Sequence, residues 1–218
     1  MFLKTPNANP VLSFKNLRRL IGILGMLLPL ICFLGGIVFL DLKLGPSISS
    51  YYYSNVRDGF VGILVGVAMF LITYRGYEYL DDFISTLTGI CALGVAIFPC
   101  YDIGFEYVGF FNLKNTTSDK IHLIFAASFF ILLAANSIFI FTKTNKTKIP
   151  TKNKRIRNII YFLCGLVIVV SLLTLVLLNL VFSAEQLNNT PLVFILETVM
   201  LEAFGISWLV KGETLFRD

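Results

Sequence analysis

Six apolar runs, each close to the length that crosses a bilayer, divide this 218-residue chain and settle its fold class. A spanning helix takes about 20 mostly apolar residues. Runs of that kind lie at about 20–40, 59–77, 83–101, 121–142, 159–182 and 191–210. The second and third are short for a straight crossing. Between them lie turn and charge signals such as "DLKLGPSISS", "GYEYLDD", "NLKNTTSDK" and "SAEQLNNTP", and no polar stretch is long enough to fold alone. Composition agrees: hydrophobic residues make up 56% and charged residues 14%, where a soluble domain carries about 25% charge. A chain this short cannot hide such an excess in one aqueous core. The sequence predicts an all-α polytopic integral membrane protein, one domain over residues 1–218 folded as a six-helix transmembrane bundle.

Lys15, Arg18 and Arg19 precede the first run, as in a secretory signal. That run is too long for a signal core and lacks a small-residue cleavage pattern, so it reads as a retained span. With the N-terminus cytoplasmic, fourteen Lys and Arg residues fall inside and only Lys43, Arg57, Lys114 and Lys120 outside. The positive-inside rule then puts both termini in the cytoplasm, in the plasma (inner) membrane if the cell is bacterial. Tyrosines gather at both interfaces, Tyr51, Tyr52, Tyr53, Tyr101 and Tyr107 at one, Tyr74, Tyr77, Tyr79, Tyr161 and Trp208 at the other. Residues 143–157 form a basic cytoplasmic loop, within "TKTNKTKIPTKNKRIR". It reads as a topology determinant that touches anionic lipid headgroups. Without interleaved aromatics it does not point to nucleic acid.

Polar and small residues inside spans mark protein-facing surfaces, because lipid is satisfied by Leu, Ile, Val and Phe. Gly62 and Gly66 form a G-x-x-x-G pair that predicts close helix packing, within the bundle or in a homo-oligomer. Thr88, Ala92, Val95, Pro99 and Asp102 follow helical spacing along the third span, and His122, Ala126, Phe129, Leu133 and Asn136 along the fourth. In the last span Glu202 lies near mid-membrane with Thr198 and Gly205 on its face, and Glu197 nearer the outer side. Arg57, Asp58, Asp102, His122, Asn179 and Glu197 all fall at outer-leaflet depth. Two readings stand for this group. They are helix-end polar groups, with Arg57 relieving a carboxylate, or they line an outward-opening pocket together with Glu202, suited to proton exchange or headgroup recognition.

One histidine rules out a three-histidine zinc site within one subunit, and no metal or cofactor is expected. Cys32, Cys91, Cys100 and Cys164 show no C-x-x-C spacing and read as packing residues. Asn115 and Asn188 head N-x-[ST] sequons in outer loops. Ser47, Ser49 and Ser50 lie at a similar depth, but no G-x-S-x-G elbow marks a serine hydrolase.

The stretch "GPSISSYYYSNVRDGFVGILVG" resembles the corresponding region of six-span proteins of the damage-regulated autophagy modulator type and of bacterial membrane proteins of similar layout. Pro46, Ile48 and Ser49 match a Pro-x-Ile-Ser element that follows the first helix there. Ser50-Tyr51 departs from the Asp and Gly usual at the next positions. The resemblance implies a six-span membrane protein rather than an established enzyme. The alkaline ceramidase type, similar in size and layout, relies on several histidines that this chain lacks. The expectation is a protein that binds or moves an amphiphilic or small polar ligand through an outer pocket. The alternative is a structural or regulatory protein working through partner helices and its basic loop; an intramembrane hydrolase stands third.

Overall fold

The structure, a computed structural model, describes residues 11–39, 44–76, 78–143 and 150–214. Lys4, Leu40, Lys43, Tyr77, Lys146, Lys148 and Arg217, which enter the topology argument, lie outside the described residues. The long helices are α1 Val11–Phe39, α2 Arg57–Thr73, α3 Tyr79–Ile97, α4 Asn115–Ala135, α5 Lys152–Val181 and, after a short α6 Ala184–Asn188, α7 Leu192–Lys211. A 3-10 turn, Ser49–Tyr53, precedes α2. A small antiparallel hairpin, β1 Tyr107–Val108 on β2 Leu113–Lys114, joins α3 to α4. Apart from that ladder, the regular structure among the described residues is helical.

Among the described residues five helices are long and apolar enough to cross a membrane, the build of a multi-pass membrane protein. In α2 the helix has 17 residues, about 26 Å at 1.5 Å per residue, against a hydrocarbon core of about 30 Å. Several helices begin before their apolar run because their first turns are polar, and α5 is also capped. Thr151, for instance, accepts a hydrogen bond from the Lys154 N–H at 3.1 Å and starts α5 seven residues ahead of the expected 159.

The helices close a ring in which α1 packs on α2, α2 on α3, α3 on α4, α4 on α5, α5 on α7, and α7 returns to α1. Leu, Ile and Val residues cover its outside: Leu123, Ile124 and Ile131 on α4, and Val170, Leu173, Leu177 and Leu180 on α5, are all exposed. So large an exposed apolar surface is at home in lipid and not in water. Contacts of Lys15 and Arg19 with Glu213 and Gly212 mark the end of the ring where the described chain begins and finishes. The opposite, far end gathers residues 44–56, 98–114 and 182–191.

Close helix crossings use other glycines than the expected pair. A Cβ on Gly22 or on Gly205 would lie 2.8 Å from the other's carbonyl oxygen, so α1 and α7 meet backbone to backbone there. A Cβ on Gly89 of α3 would lie 2.6 Å from the Ala68 carbonyl of α2. At Gly62 it would meet nothing within 4 Å, and at Gly66 only Leu24, at 3.8 Å.

The interior is aromatic toward the terminal end. Trp208 is fully buried, with Tyr74 and Phe141 rings each 5.1 Å from it and Phe204 at 6.2 Å. Tyr74, Tyr161 and Trp208 therefore serve as core residues rather than as a belt facing headgroups. Beyond them α4 continues as a π-helical turn, Asn136–Ile140, closed by the Phe141 N–H on the Asn136 carbonyl at 2.9 Å. This turn brings buried Asn136 to Thr88 of α3, and Ser137 to Ser207 of α7.

Candidate functional site

At the far end the sequence after α1 folds into a compact knot. The serines satisfy the backbone locally after Gly45 and Pro46: the Ser50 N–H donates to Ser47 Oγ at 3.0 Å, and Ser50 Oγ to the Ser47 carbonyl at 2.6 Å. Tyr51 Oη accepts from the Gly45 N–H at 3.2 Å. The ring helices then clamp this knot. From α7, the Phe194 N–H donates to the Pro46 carbonyl at 3.1 Å, and Glu197 Oε2 accepts from the Ile48 N–H at 2.6 Å. The Ser49 N–H reaches the same carboxylate. From α4, His122 Nε2 lies 3.0 Å from Ser49 Oγ, and Nδ1 lies 2.7 Å from the Phe98 carbonyl. A carbonyl can only accept, so Nδ1 is assigned the proton, and the Ser49 hydroxyl donates to Nε2. Tyr53 Oη donates to the Cys100 carbonyl at 2.6 Å, tying the knot to the α3 side as well.

A serine hydroxyl on an imidazole that is oriented by a third group is the geometry of a nucleophile and its base. Acyl transfer also needs free N–H donors where an oxyanion would form. Here the Ile48 N–H is committed to the Glu197 carboxyl group, which fills that position. The adjoining cavity, between Ser49, Glu197, Leu64 and Phe129, measures about 30 Å³, enough for a water and too small for a lipid chain. The cluster is built to anchor the knot.

The second feature lies beside it. A groove of about 650 Å³ runs between the first turn of α2, the end of α3 and the hairpin tip. It is lined by Arg57, Asp58, Val61 and Gly62 of α2, by Ala96 and Ile97 of α3, and by Phe110 and Phe111 of the hairpin. Arg57 Nη2 donates to Tyr52 Oη at 2.7 Å, and its Cζ lies 4.3 Å from the Tyr52 ring centroid. Both Arg57 and Asp58 are exposed, and neither is in an ion pair among the described residues. The hairpin tip is shaped by Gly109 at φ +74°, where a Cβ would lie 2.8 Å from Pro99. Phe111 is braced by stacking on Phe98 at 5.7 Å, and Phe110 stays 84% exposed.

No known protein family, curated protein or solved structure matches this chain.

The residues singled out by depth thus fall into separate places. His122 and Glu197 converge on one loop, and Arg57 and Asp58 share the groove. Asp102 closes its own turn, its Oδ1 accepting from the Gly104 N–H at 2.8 Å. Asn179, exposed near the end of α5, donates back to the Leu175 carbonyl at 2.9 Å. Glu202 is half-buried on α7 and lines neither the cavity nor the groove. Asn115, the first sequon, is buried and donates through Nδ2 to the Asp102 and Phe105 carbonyls, so its amide is in structural use. Among the described residues no three His, Cys, Asp or Glu side chains are grouped to hold a metal ion. Tyr52, Phe110 and Phe111 emerge only from the structure. The signal for Phe110 and Phe111 was an adjacent aromatic pair after Gly109 in a short loop between two spans; Tyr52 reads in the sequence only as an interface tyrosine.

Proposed function

We propose that this protein binds an amphiphile at the outer side of the membrane, in the groove between α2, α3 and the hairpin. The observation that carries this reading is the open face at Gly62, a glycine on a helix that packs on nothing, in a groove of about 650 Å³ headed by two unpaired charges. That size falls within the range of ligand sites, about 300–1,000 Å³. Its floor is apolar and its mouth polar, which suits a chain and a headgroup. In this reading the chain crosses six times with both termini cytoplasmic. The short α2 counts as the sixth crossing because it fills its place in the ring, and the lysine and arginine asymmetry sets the direction. Of the basic residues after the fourth span, Lys152 and Arg155 are exposed and suited to anionic headgroups. By contrast, Lys154 donates to the Phe141 carbonyl, and Arg157 is buried. The similarity to the autophagy modulator type rests on Pro46, Ile48 and Ser49, the segment that α4 and α7 clamp.

Gly62→Leu tests the groove. Its new side chain enters open space, so melting in detergent should stay within about 2 °C of wild type, while co-purifying amphiphile, measured by native mass spectrometry, drops at least several-fold. Unchanged lipid retention in a folded Gly62→Leu protein would remove the reading. The open Gly62 face also favours a second reading, a seat for a helix of another copy. A shift in oligomeric mass with Gly62→Leu, lipid retention being constant, would select it.

A further inference from the structure

We propose that the groove selects a zwitterionic phospholipid, with the phosphate on Arg57 and the ammonium on Asp58 and the aromatic wall; this rests on the amphiphile reading above. Arg57 and Asp58 are consecutive in the first turn of α2, so their side chains leave the helix about 100° apart. They stand side by side without forming an ion pair with each other. The stack on Tyr52 explains why. It holds the guanidinium through Nη2 and the ring face while its other donors make no hydrogen bond among the described residues. Asp58 has no hydrogen-bond partner among them either. The groove mouth is therefore dipolar, one fixed cation beside one anion, with no net charge.

Each headgroup class meets that mouth differently. An anionic headgroup gains Arg57 and is repelled by Asp58. An uncharged one leaves both charges without partners. A phosphate joined to an ammonium by an ethanolamine or choline bridge pairs both at once, and the neighbouring aromatic faces of Phe110 and Phe111 favour a quaternary ammonium in particular. Below the mouth, Gly62 and Ala96 keep the floor deep enough for an acyl chain between Val61 and Ile97.

The test is a lipid titration of the full-length protein in detergent, read by native mass spectrometry, with phosphatidylcholine, phosphatidylglycerol and diacylglycerol of identical chains. Wild type should hold phosphatidylcholine at about tenfold lower concentration than either competitor, a difference of about 1.4 kcal/mol. Asp58→Asn, at an exposed residue with no partner to lose, should keep the fold and bring phosphatidylglycerol level with phosphatidylcholine. Arg57→Gln should weaken phosphatidylcholine most. Equal retention of phosphatidylglycerol or diacylglycerol by wild type overturns the headgroup assignment and leaves the amphiphile reading standing. Retention of none of the three overturns both.

Discussion

Glu197 offers the most discriminating perturbation, because two opposed effects meet at its carboxylate. Its Oε2 takes the Ile48 N–H at 2.6 Å with the Ser49 N–H alongside, and nothing else among the described residues replaces it there. A hydrogen bond to a charged group contributes about 1.5–3 kcal/mol, and a buried donor left without a partner costs about 1–3 kcal/mol. Against this stands the desolvation of a carboxylate next to an apolar cavity, which can equal or exceed the gain. If the bonds dominate, Glu197→Ala should cost about 3 kcal/mol, whereas Glu197→Gln, which keeps an acceptor oxygen, should cost about 1 kcal/mol. For a chain of this length each kcal/mol corresponds to about 2–4 °C in Tm, hence about 6–12 °C for Ala and 2–4 °C for Gln. The assay is built into the protein: Cys32, Cys91 and Cys164 are buried and free, so a thiol-reactive fluorogenic dye reports unfolding on heating. His122→Ala releases the same knot from the other side, through Ser49 at 3.0 Å. A double-mutant cycle should therefore show a coupling of about 0.5–3 kcal/mol, the second release costing less than the first. A Glu197→Ala protein as stable as wild type would show that desolvation wins. Strict additivity with His122→Ala would show that the two residues do not hold one unit.

Two further outcomes follow from the groups outside the spans. Lys143 donates at 2.6 Å both to Asp81, which is 1% exposed, and to Glu78, and these bonds hold its ammonium above the ordinary lysine value. Lys143→Met should destabilise more than Lys143→Arg in the same melting assay, yet by less than the roughly 3–5 kcal/mol of a fully buried broken pair, since 32% of the lysine side chain is open to solvent; equal Tm for both variants would deny the pair a role. At Cys100, burial pushes the thiol from 9.0 up to about 12. The folded state prefers the protonated thiol, so its contribution to stability is intact below pH 9 and is lost as pH rises toward 12, where the unfolded chain ionises first. Mass-spectrometric mapping should find Cys100 alkylated far more slowly than a free thiol at pH 9 while the protein is folded, and rapid native-state modification at pH 9 would contradict this.

The helices were legible because lipid leaves the chain so little choice. Every buried peptide group must be paired within its own segment, so each long apolar run had to be a helix. Their polar first turns were not legible, since hydropathy is silent where a cap such as Thr151 decides. Depth proved a poor guide to company. Asp58, His122 and Glu197 lie near one level, but level fixes only position along a helix axis. The partner is set by azimuth and by which helices adjoin in the ring, and that order, with α7 between α5 and α1, was not in the periodicity. The glycines make the same point in reverse. A G-x-x-x-G pair states that a backbone can approach closely, not that one does, and the approach that occurs is at Gly22 and Gly205, 183 positions apart in sequence. Gly62 acquires its meaning from this contrast: where Gly22, Gly205 and Gly89 are covered to the limit of contact, a helical glycine left open beside two charges without an ion pair among the described residues is most simply understood as space kept for something that is not this chain.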